Sequence, residues 1–251
     1  MTPEYFDRVW PTYIENWSHG LIKLSIRQTE IPLNMEEALS LGMNNSRFAK
    51  WFKNGNPKTI DAIAGKLKNA LWEFREGAFV RLGSRSAKDT QFAKYYGLRV
   101  DSADAAIRML TDNSERITFD LRLGILNQYS PSLFVRDWVE MPKWSEFRCF
   151  MRKRKLIGVS QYDCKNLGRC SEIHANSSKI FSSIKAFFEK FSYLSHIDDV
   201  VFDVFVIIHK KHDNHSIEVK LLDLNPFFPK TDSCLFQWRN GGDFDGGFRF
   251  L

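Results

Sequence analysis

Hydrophobic positions along the chain follow two rhythms. Behind the break Gly55-Asn56-Pro57, Ile60, Ile63, Leu67 and Leu71 recur at spacings of three and four, which predicts an amphipathic helix over about 58–75. A second helix is predicted over 102–112. There Ser102 stands as an N-cap, Asp104 lies in the first turn, and Ala106, Met109 and Leu110 give an apolar side. The clearest helix covers 177–194, with Ile180, Ile184, Phe187, Phe188 and Phe191 on one face. Elsewhere the rhythm shortens towards two. GAFVRLG (77–83) reads as a strand entering a Gly/Ser loop, and SLFVRDWVEM as a strand running into a bend. EFRCFM with KLIGVSQY, and VVFDVFVIIH with IEVKLLDLN, read as hairpins turned by Arg152-Lys153-Arg154 and by KKHDNHS. Residues 1–75 read as mostly helical, and the tail NGGDFDGGFRFL as irregular. Helices, then strand–loop–helix, then two hairpins flanking a helix make an α+β protein with largely antiparallel sheet.

Composition narrows the class. The 251 residues are 43% hydrophobic and include 22 phenylalanines, enough for a substantial core and against disorder. The net charge of +6 permits a nucleotide, a nucleic acid or an acidic protein as partner, and is too small to establish nucleic-acid binding. Cys149, Cys164, Cys170 and Cys234 form no C-x-x-C pair. The spacing of Cys164, Cys170 and His174 suits zinc poorly, so reduced thiols are expected. The first residues, MTPEYFDRVWP, contain Glu4 and Asp7 and no apolar leader core, and no apolar run approaches the ~20 residues of a membrane span. A cytoplasmic protein is expected.

The candidate chemistry lies in the hairpins and the loop. Asp203 shares a strand face with Val201 and Phe205, and Asp223 shares one with Asn225. If the two strands pair across the turn, Asp203 lies near Asp223. Two carboxylates and a carboxamide then suit a hard cation such as Mg²⁺, completed by phosphate oxygens and water. The structural alternative has Asp203 salt-bridged and Asp223 capping the turn before Pro226. The loop RLGSRSAKD (81–89) offers Arg81, Ser84, Arg85, Ser86 and Lys88 to a phosphate, without the spacing of a Walker A motif. Arg148 shares a strand face with Glu146 and Phe150 and needs an anion, either a carboxylate or a phosphate. Together these groups can serve one ligand, a polyphosphate with Mg²⁺.

Those segments resemble the cell division cycle 123 family, a divergent branch of the ATP-grasp proteins. The resemblance runs through TEIPL (29–33), RLGSRSAKD, SADAAIRMLTDNSERITFDL (102–121) and FVRDWVEMP (134–142). It is most specific in EFRCFMRKRKLIGVSQYD and in VFDVFV with LLDLNPFFPKTDSCLFQW. It implies an ATP-grasp fold of two lobes closing on ATP–Mg²⁺, here a smaller lobe at 76–135 and a larger one at 136–251, after the helical segment 1–75. It further implies that Arg136, Asp137, Trp138 and Val139 touch adenine, and that Arg81, Ser84, Ser86, Lys88 and Arg148 sit at the phosphates, with Arg148 the residue for any chemistry. Asp203, Asp223 and Asn225 would hold the metal. The family usually has lysine where Arg81 stands and proline where Ala87 stands, which alters the fork geometry offered to phosphate. Eukaryotic members act as ATP-binding assembly factors for translation initiation factor two, so a protein partner is expected. This chain is shorter than they are and lacks their long acidic tail, pointing to a microbial or viral relative. The other activities open to such a fold are an ATP-grasp ligase or phosphotransferase, including a nucleic-acid ligase, with an unknown acceptor.

Overall fold

The computed structural model describes residues 3–211 and 214–251; the centre of the second hairpin's turn, His212 and Asp213, lies outside the described residues. In chain order the elements are α1 (Pro3–Val9), α2 (His19–Lys23), β1 (Gln28–Pro32), α3 (Met35–Met43), α4 (Ile60–Leu71), β2 (Ala78–Leu82), α5 (Gln91–Tyr96), β3 (Arg99–Val100), α6 (Ala103–Thr111), α7 (Glu115–Leu126) and β4 (Ser132–Asp137). They continue with β5 (Glu146–Arg152), β6 (Lys155–Gln161), α8 (Ser171–Leu194), β7 (Val200–Lys211), β8 (Asn214–Pro226) and β9 (Phe248–Arg249). Contacts gather these into two units, residues 1–15 with 27–139 and residues 16–26 with 140–251. No helix among the described residues is long and apolar enough to cross a membrane.

The first unit is a four-stranded antiparallel sheet of order β1-β4-β2-β3. Alternation puts Ile31, Ala78, Val80, Leu82, Leu133 and Val135 on one face, where Ile63 and Leu67 of α4 and Ala106, Met109 and Leu110 of α6 bury them. The helix starts follow local chemistry: Asn34 and Glu37 form a reciprocal capping box on α3, and Ser102 caps α6 by accepting from the Ala105 N–H. Two findings differ from the sequence expectations here. Residues 28–32, inside the stretch read as helical, form β1, because Ile31 is the sole apolar residue facing the core and the neighbouring residues have no helical period. Residues 115–126 form a separate helix, α7, whose N-cap is Ser114.

The second unit is a five-stranded sheet of order β8-β7-β5-β6-β9. Both predicted hairpins are present, β5–β6 and β7–β8. One face is covered by α8, whose Phe188 and Phe191 stack on Phe202 at 6.2 and 4.2 Å between ring centroids. The helix begins at Ser171, six residues ahead of the predicted start, and the Gly-rich tail contributes a short strand, β9, parallel to β6. On the other face Phe150, Val201 and Phe236 bury one another. Gly158 is required there by close approach: a Cβ would lie 2.7 Å from the Phe236 ring.

Candidate functional site

The face of the second sheet opposite α8 presents a transverse row. Register pairs Arg148 with Ser160 on β6 and with Asp203 on β7, and pairs Asp203 with Asp223 on β8. The next row reads Gly158, Phe150, Val201 and Asn225. A bulge makes this possible. Asp203 opposes Asp223 while Val204 opposes Leu221, so Leu222 is the extra residue. Leu221 thereby faces the same side as Val204, whereas Asp223 stays on the face of Asp203.

Arg148 and Asp203 form a buried two-pronged ion pair. Arg148 Nε donates to Asp203 Oδ1 and Nη2 to Oδ2, both at 2.8 Å, and Nη1 donates to the Asp232 carbonyl at 2.9 Å. The guanidinium lies over the Tyr162 ring, 4.8 Å from its centroid. Burial opposes the Arg148 charge, but Asp203 wins and holds its pKa above the ordinary arginine value. Asn225 Nδ2 also donates to Asp203 Oδ2, at 3.1 Å. Asp203 is thus the anchor for both neighbours. Asp223 is half-buried beside it, its Oδ1 accepting from the Leu224 N–H at 3.1 Å. Among the described residues no three His, Cys, Asp or Glu side chains converge on a metal position, which leaves the candidate cation set at two carboxylates and a carboxamide. The four cysteines are free thiols.

Sequence reasoning missed the support around this row. Asp232 accepts from Lys165 and, through Oδ1, from the Cys234 N–H at 2.9 Å, which fixes the carbonyl that Arg148 uses. Burial pushes the Cys234 thiol up to about 12. Neither Lys165 nor Asp232 sits in a periodic element, so only the tertiary approach of two loops identifies them.

In the first unit, Arg81 and Arg136 are both buried and both project from the sheet face opposite the helices. The register gives two rows there, Gln28–Arg136–Phe79 and Glu30–Phe134–Arg81. Gln28, also missed in the sequence, has both carboxamide atoms buried with no hydrogen bond. The 81–89 loop is fixed at several points. Glu15 Oε1 accepts from the Tyr129 hydroxyl at 2.8 Å and from the Ser132 N–H at 3.3 Å, and its other oxygen lies where a Gly83 Cβ would be, only 1.6 Å away. Burial raises the Glu15 pKa. Arg85 pairs with buried Asp120 at 2.9 Å, and Ser84 donates to the same carboxylate, whose pKa burial raises. Asp89 accepts from the Ser114 hydroxyl and the Arg116 N–H, tying the loop to the start of α7. Ser84 and Arg85 are therefore engaged with Asp120, Ser86 is buried, and Lys88 is exposed. Asp137 accepts a two-pronged ion pair from Arg27, Trp138 donates its N–H to the Gly77 carbonyl, and Val139 is half-buried at the end of the unit. The candidate residues thus fall into two groups: Arg81 to Val139 in the first unit, and Arg148, Asp203, Asp223 and Asn225 in the second.

Two α+β units on largely antiparallel sheets, one carrying an arginine–carboxylate–carboxamide row, define the class of protein. The D123 family model matches residues 36–241, and the chain belongs to that family, the cell division cycle 123 proteins. It is similar to the translation initiation factor eIF2 assembly protein of Xenopus tropicalis, 26% identical over an alignment of 268 positions that covers 92% of this chain and 77% of that protein. The Xenopus laevis protein of the same name is 38% identical over 182 residues, 69% of this chain and 51% of that one. The fold is shared with the solved structure of Cdc123 from Schizosaccharomyces pombe, with a TM-score of 0.71, 22% identity, and coverage of 92% of this chain and 90% of that one.

Proposed function

We propose that this chain is an ATP–Mg²⁺-binding protein of the ATP-grasp type that acts as an ATP-dependent protein-binding or assembly factor. The observation that carries the nucleotide reading is the row Arg148–Asp203–Asp223 with Asn225. Its donors to a cation are all oxygens, two carboxylates and a carboxamide, which suits Mg²⁺ and leaves the rest of an octahedral shell to phosphate and water. Bound Mg²⁺ would offset charge on the phosphate oxygens.

Within the row the roles divide. Asp203 orients Arg148 and Asn225, because its carboxylate takes both prongs of the guanidinium and the Asn225 amide. Asn225 donates through Nδ2, which directs its Oδ1 to accept from or ligate a third party. Asp223 supplies the carboxylate next in line. Arg148 has five N–H groups and spends three on Asp203 and Asp232, keeping donors for a phosphate oxygen. In the first unit the same reading assigns phosphate contacts to Arg81, Ser84, Ser86 and Lys88 and base contacts to Arg136, Asp137, Trp138 and Val139. The partner reading rests on the similar proteins named as eIF2 assembly proteins. It assigns to this chain a translation factor of that kind.

The test is calorimetric titration of ATP with and without Mg²⁺. Asp223→Ala is expected to lose the Mg²⁺-dependent part of the affinity while its melting temperature stays within about 2–4 °C of wild type, the span of a 1 kcal/mol change. Unchanged ATP–Mg²⁺ affinity in that variant overturns the metal assignment. Release of ADP or AMP with a defined acceptor would move the reading from assembly factor to ligase or phosphotransferase.

A further inference from the structure

Strand β1 is an edge strand, and its outer side borders a groove of about 560 Å³ whose other wall is α4. Hydrogen bonds fix which backbone groups face that groove. Leu33 N–H donates to the Pro131 carbonyl and Asp137 N–H to the Arg27 carbonyl, both directly opposite pairs in the β1–β4 register. In an antiparallel ladder such pairs recur at every second residue. Residues 27, 29, 31 and 33 therefore bond β4, and the N–H and C=O groups of Gln28 and Glu30 point outward. At the far end Pro32 has no N–H, and its carbonyl already accepts from Lys66 Nζ at 3.0 Å. An added strand is stopped there and accommodated over 28–30.

The walls of the groove carry an acidic balance. Lys66 is neutralised by Glu37 at 2.7 Å. Glu73, two residues past the end of α4, is exposed, accepting from the Thr29 hydroxyl at 3.3 Å, and Glu30 is exposed on the other face of the strand, where its Oε1 accepts from the Ser132 hydroxyl at 2.6 Å. Side chains of an added strand alternate between these two faces, so a basic residue on either face meets a carboxylate.

We infer that the β1–α4 groove binds an extended, basic segment of a partner protein by strand addition at Gln28–Glu30. Backbone hydrogen bonds supply register and affinity, and Glu30 and Glu73 select Lys or Arg side chains. The site lies wholly in the first unit and its argument does not rest on the nucleotide reading, although Gln28 and Glu30 share a sheet face with Arg136 and Arg81.

The probe is a fluorescein-labelled, amidated hexapeptide alternating Lys with Thr and Val, titrated into the full chain and followed by anisotropy. Saturable binding that weakens with added salt is expected. Glu73→Lys and Glu30→Lys should each weaken it at least fivefold. Glu30→Pro removes one outward N–H and no β4 bond, so it should bind about fivefold more weakly than Glu30→Gln, the worth of one hydrogen bond. Hydrogen exchange on the wild-type chain guards against misfolding of the proline variant: peptide should slow the amides of Gln28 and Glu30. No saturable binding, equal binding of the Glu-for-Lys peptide, or unchanged exchange at both amides overturns the inference. Slowed exchange without peptide, together with a concentration-dependent dimer, would assign the edge to a second copy of the chain instead.

Discussion

The Arg148–Asp203 pair gives the sharpest test of the site. Its side chains are 7% and 4% exposed, so a lone charge left behind by mutation has almost no water to compensate it. Asp203→Leu strands Arg148 Nε and Nη2 and the Asn225 amide, whereas Arg148→Met strands the carboxylate and the Asp232 carbonyl. Removing one partner of a buried pair costs about 3–5 kcal/mol, while replacing both by apolar groups of similar volume is often near neutral. At roughly 2–4 °C per kcal/mol, each single variant should melt about 6–20 °C lower. The double variant Arg148→Met with Asp203→Leu should recover most of that loss, giving a coupling energy of about 2 kcal/mol or more. Calorimetric melts of the four proteins measure the cycle. The same four proteins also separate structure from function. If the row binds ATP–Mg²⁺, the double variant regains stability without regaining nucleotide affinity. Single variants within about 1 kcal/mol of wild type, or costs that simply add, refute the buried-pair argument. A stable double variant with wild-type affinity refutes the ligand role.

Three further outcomes follow from named contacts. Gly83→Ala should drive the Glu15 carboxylate from its place, leaving the Tyr129 hydroxyl and the Ser132 N–H without their acceptor, and cost about 2–3 kcal/mol in denaturant unfolding. Glu15 has a raised pKa, so the folded chain holds its proton to higher pH than the unfolded chain. Wild type should therefore lose stability relative to Glu15→Gln as pH rises from the ordinary glutamate value through the folded one, and a flat difference between pH 4 and 8 contradicts the burial argument. With its thiol pushed up to about 12, Cys234 should react with iodoacetamide on the order of 50-fold more slowly at pH 8 than an ordinary thiol, once the greater nucleophilicity of a high-pKa thiolate is allowed for. Peptide mapping of the alkylated chain measures it, and reaction at the rate of free cysteine shows that the site is open.

How much of this was legible in the sequence depends on the range of the interaction. The α6 boundary was readable because Ser102 caps its own helix three residues on, and the hairpins because period-two runs flank polar turns. The pairing of Asp203 with Asp223 followed from the same local rule. The start of α8 was not readable. Its first turns, SEIHANSSK, are polar and gain helical order from the packed turns after them. β1 and β9 were hidden because two to five residues paired with distant strands show no periodicity of their own. The loop's cations were visible as composition, but their assignments were not. Arg85 is held by Asp120, 35 residues away in another element, and Glu15 meets Gly83, 68 residues further along the chain. Arg148 shows the limit most clearly. A cation in an apolar strand demands an anion, and the sequence left carboxylate and phosphate equally open. The fold answers with a carboxylate that takes two prongs and a backbone carbonyl that takes a third. An arginine pre-oriented in this way loses little entropy on meeting one further acceptor. On the proposed nucleotide reading, the buried pair would hold a phosphate-binding cation in place as well as neutralise its charge.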